Sequence, residues 1–97
     1  MTATRIFVAA ALVVVYCTSV KAAEPPPGAT SCSGCHAANA GVETPMPRLA
    51  GRKAADLVAQ MQAFRAGQGQ PTVMDQIAKG FTDAEVEAIA AWYAEQK

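Results

Sequence analysis

The chain has 97 residues, enough for one small domain, and carries eight basic and eight acidic side chains. This balance gives no sign of the basic surface through which proteins hold nucleic acid. A domain of this size buries too little apolar surface to be comfortably stable alone, so we expect a disulfide, a metal, a cofactor or a partner to support it.

The first 22 residues have the pattern of an export signal. Arg5 gives a short positive start, the run from 6 to 17 is apolar throughout, and residues 20–22 offer a cleavage site with small side chains. The pattern predicts a secretory signal peptide over residues 1–22 and a periplasmic location. The apolar run is shorter than the roughly 20 residues that cross a bilayer, so we expect no membrane span after cleavage. Removal of Arg5 and Lys21 leaves a slightly acidic mature chain.

The next segment, residues 23–29, is rich in proline. Three consecutive prolines, Pro25 to Pro27, favour an extended path and block a helix. Any helix that follows should therefore begin near Gly28 or Ala29 and have only a turn or two.

The sequence Cys32-Ser33-Gly34-Cys35-His36 opens the domain predicted for residues 30–97. Two thiols three positions apart fit one face of a helical turn, and the adjacent imidazole completes the c-type haem attachment signature. The thiols would join the porphyrin covalently, and His36 would ligate the iron. A thiol redox pair, a Cys32–Cys35 disulfide in a haem-free protein and half of a zinc site are the alternatives. A zinc site would need about four ligands, and the chain beyond the leader offers three Cys or His side chains.

The remainder of the chain predicts helices separated by loops. Residues 37–51 form a loop rich in Gly and Pro, and residues 52–66 have the apolar spacing of a helix that ends before Gly67. A short helix over residues 75–79 should end at Gly80. A capping box formed by Thr82 and Glu85 begins the last helix. No strand pattern appears in the mature chain, so we predict an all-α fold.

Pro47-Arg48-Leu49-Ala50-Gly51 resembles the P-x-L-x-G segment that follows the haem motif in class I c-type cytochromes. The resemblance implies a class I cytochrome c-like fold with one covalent haem c. It also implies that the Pro47 carbonyl accepts a hydrogen bond from His36 and that Leu49 packs on the ring. Met74 lies where this class places its distal methionine ligand, so we expect Met74 to be the second axial ligand, in a loop, instead of Met46 or Met61.

Within the class, residues 30–97 resemble the cytochrome subunit of flavocytochrome c sulfide dehydrogenase and the single-haem halves of diheme periplasmic cytochromes. This resemblance implies one-electron transfer from a flavoprotein dehydrogenase partner, with no catalytic residue in this chain. A freely diffusing carrier that serves a terminal oxidase is the alternative.

The prolines leave a shorter N-terminal helix than the class usually has. We therefore expect part of the apolar stripe of the last helix to be uncovered and available to a permanent partner. The stripe comprises Val86, Ile89 and Tyr93, with Trp92 beside it. In the competing arrangement, the proline segment itself folds back over this stripe.

Overall fold

The computed structural model describes residues 13–16, 18, 23–39 and 41–97. Within these residues the regular secondary structure consists of helices alone, which confirms the all-α prediction. The four helices are α1 (Ala29–Cys32), α2 (Ala54–Arg65), α3 (Met74–Lys79) and α4 (Asp83–Ala94). None of the helices described is long and apolar enough to cross a bilayer. The predicted signal peptide lies mostly outside the described residues.

Helix α1 is a single turn that begins where the prolines end. The N–H of Ala29 donates to the carbonyl of Pro26 (3.0 Å), and Gly28 has a φ of 88°, which favours glycine. The helix ends at Cys32, and the chain continues in a turn in which His36 N–H donates to Cys32 O (2.9 Å). The predicted short N-terminal helix is confirmed, with only the first cysteine inside it.

Helix α2 lies within the predicted range and ends at the predicted glycine. Gly67 has a φ of 75°, and its N–H donates to the carbonyl of Phe64 (2.9 Å). The N–H of Gln68 donates to Ala63 O (2.9 Å). These two bonds form a Schellman motif, which satisfies carbonyls that the end of a helix leaves free.

Helices α3 and α4 follow closely in the chain. Met74 is the first residue of α3, so its predicted place in a loop is wrong by one residue. The predicted start at Asp75 placed an acidic side chain in the first turn, where it is favourable. In the structure Asp75 is in the first turn, but the helix begins one residue earlier, at Met74. At the start of α4 the Thr82 side chain accepts from Glu85 N–H (3.2 Å), and Glu85 Oε2 accepts from Thr82 N–H (2.8 Å). The predicted capping box is therefore confirmed.

The core lies where α1, α2 and α4 meet. Its buried members are Ala29, Leu57, Ala90 and Tyr93. Half-buried side chains pack around them: Cys32, Leu49, Ala54, Val58, Ile89 and Trp92. The cluster thus joins a haem-motif cysteine directly to the two long helices.

The prediction of an uncovered stripe on α4 is wrong. Val86 is 3% exposed and Tyr93 is 2% exposed, while Ile89 and Trp92 are half-buried. Residues 23–28, here called the N-terminal strap, run back along α4. Trp92 Nε1 donates to the carbonyl of Ala23 (3.0 Å). A Cβ at Gly28 would lie 2.6 Å from the ring of Phe81. An extended chain can therefore cover a face that usually needs a helix.

Candidate haem site

The two cysteines of the motif differ in their surroundings. Cys32 is half-buried, with Sγ 3.7 Å from the carbonyl of Gly28, whereas Cys35 is exposed. The structure forms no disulfide between Cys32 and Cys35. Burial raises the pKa of the Cys32 thiol, although the nearby backbone hydrogen bond partly opposes it.

His36 is held by the loop that follows it. Its Nδ1 lies 2.6 Å from the carbonyl oxygen of Pro47, which is the contact that the resemblance predicts. A carbonyl can only accept, so Nδ1 carries a proton and donates, and in the neutral imidazole the lone pair is then on Nε2. A neutral imidazole oriented in this way is the usual form of a histidine metal ligand. The site therefore presents one oriented nitrogen donor beside two thiols.

The loop from 37 to 51 is itself fastened near the motif. Thr44 Oγ1 donates to the carbonyl of Met46 (3.0 Å) and lies 3.4 Å from the carbonyl of Cys35. At the end of the loop, Gly51 N–H donates to Tyr93 O (3.0 Å). Leu49 packs half-buried against the core cluster, as does Cys32. These contacts bring the cysteines, His36, Pro47 and Leu49 into one region.

Tyr93 of α4 binds the haem motif and the turn before it through its hydroxyl group. No pattern in the sequence indicated this role. The Tyr93 hydroxyl donates to the carbonyl of Ala29 (2.5 Å) and lies 2.8 Å from Ser33 Oγ. Because the phenol has one proton, the Ser33 hydroxyl donates to Tyr93 in turn. Burial raises the pKa of Tyr93. The available signal was a tyrosine near the end of an apolar helix. Helical spacing predicts that its ring is in the core, but does not predict which groups its hydroxyl binds.

The three methionines considered for the iron lie in different settings. Met46 is 41% exposed and lies next to Pro47 in the fastened loop. Met61 is half-buried within α2, and Met74 is half-buried at the first position of α3. Met74 therefore differs from Met46, which is in the loop next to the motif, and from Met61, which is in the middle of a long helix.

Within the described part of the chain, no three His, Cys, Asp or Glu side chains gather closely enough to hold a metal ion. Cys32, Cys35 and His36 themselves therefore do not form the ligand set of a bare metal ion. One imidazole and two thiols at this spacing suit a metal that a macrocycle already holds in its plane.

Comparison with known proteins gives a consistent result. A family model described as Cytochrome c matches residues 28–96. A thiosulfate dehydrogenase electron acceptor of Thiomonas intermedia (strain K12) is 39% identical over 75 residues, covering 74% of this chain and 34% of that protein. Cytochrome c-554(548) of Halomonas halodenitrificans is 32% identical over 71 residues, covering 69% of this chain and 86% of that protein.

A third relative is the cytochrome subunit of sulfide dehydrogenase of Chlorobaculum tepidum. It is 30% identical over 63 residues, covering 65% of this chain and 57% of that protein. The chain spans about a third or less of the length of the first curated relatives that it matches. The activities of those longer proteins as a whole therefore do not follow from the match.

Proposed function

We propose that this chain is an exported one-electron carrier with a single haem c. The chain belongs to the cytochrome c family and is a class I electron-transfer protein. Cys32 and Cys35 would hold the porphyrin, and His36 and Met74 would be the axial ligands. When bound, haem c supplies a reversible one-electron iron couple. The protein residues attach it, orient its ligands and decide which ligand sites are open.

The observation that carries this proposal is the 2.6 Å contact between His36 Nδ1 and Pro47 O. It fixes the tautomer and turns Nε2 away from the loop, and a hydrogen bond of this kind raises the basicity of a histidine ligand. An imidazole prepared in this way beside two free thiols is what covalent attachment and proximal ligation require. A thiol redox protein would have no need of it.

Large apolar side chains are exposed on two segments of the chain. The segments are the loop after His36 and the stretch that begins α3. The exposed large apolar residues on them are Val42, Met46, Val73 and Ile77. A flat, largely apolar macrocycle would cover residues on both segments.

Met74 is the best candidate for the second axial position. Pro47 contacts His36, so Met46, its neighbour in the chain, lies on the same side of the site as His36. Met61 is half-buried in the middle of α2. With His36 and Met74 both bound, no open iron site remains, so electron transfer without substrate binding is the expected chemistry. A thioether ligand also favours the reduced state and raises the potential.

The partner is proposed from the relatives, not from an exposed patch. Two of them are an electron acceptor of thiosulfate dehydrogenase and a subunit of sulfide dehydrogenase. We infer that this chain receives electrons from a dehydrogenase in the periplasm, with a flavoprotein that oxidises sulfide as the specific expectation. Because the N-terminal strap covers α4, the fold gives no separate support for a permanent subunit, and a diffusing carrier remains the alternative.

The ligand set is tested on protein produced with its leader in a bacterium that attaches haem to exported cytochromes. Pyridine haemochrome absorbance should give one haem per chain. The ferric protein should show the weak far-red band of sulfur-to-iron charge transfer. Met74→Leu should abolish this band, whereas Met46→Leu, the matched exchange, should keep it. The reverse result, or a chain without covalent haem, would contradict the proposal.

The partner is tested on material from the native periplasm. Size-exclusion chromatography with mass detection should find the haem protein in a complex with a dehydrogenase if it is a permanent subunit. A lone monomer that is reduced in the extract by sulfide or thiosulfate would instead identify a diffusing carrier. A monomer that neither substrate reduces would refute the dehydrogenase partner.

A further inference from the structure

Arg65, the last residue of α2, binds three points beyond its own helix. Its Nη2 donates to the carbonyl of Phe81 (2.8 Å), and its Nε donates to the carbonyl of Ala78 (3.4 Å). Its Nη1 pairs with Asp83 Oδ1 (2.5 Å). One planar guanidinium therefore joins the end of α2 to the end of α3 and the start of α4.

The contacts to Ala78 and Phe81 fix the C-terminal end of α3. Ala78 is fully buried, and its carbonyl, one of those at the end of the helix, accepts from Phe81 N–H (3.4 Å) as well as from Arg65. The guanidinium supplies donors and a positive charge at this end. Helix α3 has six residues, far fewer than an isolated helix needs to be stable in water. Its position therefore depends on what holds it.

The opposite end of α3 is held much less firmly. The N-cap residue Val73 makes no side-chain capping bond and is 50% exposed. Gly69 and Gln70 have positive φ angles of 79° and 51°. Among the described residues, no backbone N–H of residues 69–73 donates to the backbone of another element. Met74 lies at this end, so the hydrogen bonds that connect its helix to α2 are those of Arg65 at the other end.

We propose that Arg65 is a positioning residue for Met74. By holding the C-terminal end of α3 against α2 and α4, Arg65 keeps the thioether where it can bind iron, and it thereby sets how often Met74 dissociates. This role rests on the proposed function, in which Met74 is the axial ligand. The two carbonyl contacts carry it, because the Asp83 side chain is 71% exposed and an ion pair in water restrains little.

The test measures ligand exchange in the folded ferric holoprotein. Imidazole can bind the iron only after Met74 leaves, so its binding rate reports dissociation of the thioether. Arg65→Met, which keeps an unbranched apolar stem but removes the guanidinium and its donors, should raise this rate about tenfold, equivalent to about 1.4 kcal/mol. The far-red band should weaken in parallel. Asp83→Asn should bind imidazole at nearly the wild-type rate.

Arg52→Met is the matched control, because it makes the same exchange at an exposed arginine before α2. All variants are compared where circular dichroism shows equal helix content. An Arg65→Met protein with a lower unfolding midpoint but the wild-type imidazole rate would overturn the proposal and leave Arg65 a purely structural residue. If Arg65→Met does not fold, Arg65→Lys, which keeps the charge but cannot bind both carbonyls, must still raise the rate. A wild-type rate in Arg65→Lys would overturn the proposal.

Failure of the ligand set is distinguished by Met74→Leu. If the wild-type protein lacks the far-red band, or Met74→Leu keeps it, then Met74 is not the ligand. In that case the proposed function fails at its axial ligand, and the positioning role fails with it. If the band depends on Met74 and Arg65→Met leaves both the band and the rate unchanged, only the role of Arg65 is refuted.

Discussion

Two sides of the candidate site are held in different ways: the attachment side, with Cys32, Cys35 and His36, and the methionine side, with Met74. On the attachment side, hydrogen bonds end on the functional residues or their immediate neighbours, as between His36 and Pro47 and between Ser33 and Tyr93. On the methionine side, the hydrogen bonds of Arg65 end at Ala78 and Phe81, beyond Met74 in the chain. The position of His36 is thus fixed locally, whereas in our proposal that of Met74 is fixed through a short helix. Moderate perturbation should release Met74 before it disturbs His36.

The largest effect is expected from loss of the covalent attachment. Cys35→Ala removes one of the two proposed thioether bonds, and the small core provides little stability without the cofactor. We expect little folded holoprotein, measured by haem staining under denaturing conditions and by circular dichroism. Ser33→Ala, within the same motif, should keep its covalent haem. A helical haem-free Cys32→Ala/Cys35→Ala protein as stable as the wild type would contradict the attachment role.

A smaller effect is expected from the tyrosine behind the motif. Tyr93→Phe keeps the ring in the core but removes the donor to the carbonyl of fully buried Ala29. An unsatisfied buried acceptor costs about 1–3 kcal/mol, so the free energy of unfolding in denaturant should fall by that amount. Ser33→Ala should cost less, because Tyr93 then keeps its bond to Ala29. The far-red band should persist in both variants. Its loss in Tyr93→Phe would show that the two sides are not independent.

Tyr93 should also give the fold a dependence on alkaline pH. Burial raises its pKa in the folded state above that of an unfolded tyrosine, about 10. The stability that this shift contributes is present below the unfolded pKa and is lost as pH rises through the folded pKa. Above about pH 10 the free energy of unfolding should therefore fall more steeply in the wild type than in Tyr93→Phe. Parallel curves would mean that the phenol titrates alike in both states.

The sequence predicts what depends on neighbouring residues. The capping box at Thr82, the glycine that ends α2 and the prolines that delay α1 all act within a few positions, so each could be located. The contact between His36 and Pro47 followed from a family pattern. The bonds of Tyr93 and Arg65 join residues far apart in the chain, and no local pattern indicates them. The prolines predicted where the helix could not form, but not that the chain would turn back along α4.

The smallest effect is expected from loss of the hydrogen bond between Trp92 and Ala23 of the N-terminal strap. This change tests whether the attachment side depends on the strap. Trp92→Phe keeps an aromatic ring beside Tyr93 but removes the donor to Ala23 O. This bond is exposed, so its loss should cost about 0.5 kcal/mol, the low end for a hydrogen bond. Hydrogen exchange should become faster at the Ala29 amide, which donates to the carbonyl of Pro26 in the strap, whereas the imidazole binding rate should stay at the wild-type value, because Arg65 and α3 are untouched. If the rate rises in Trp92→Phe as much as in Arg65→Met, the two sides loosen together, and the methionine is governed by the whole fold and not by the end of α3.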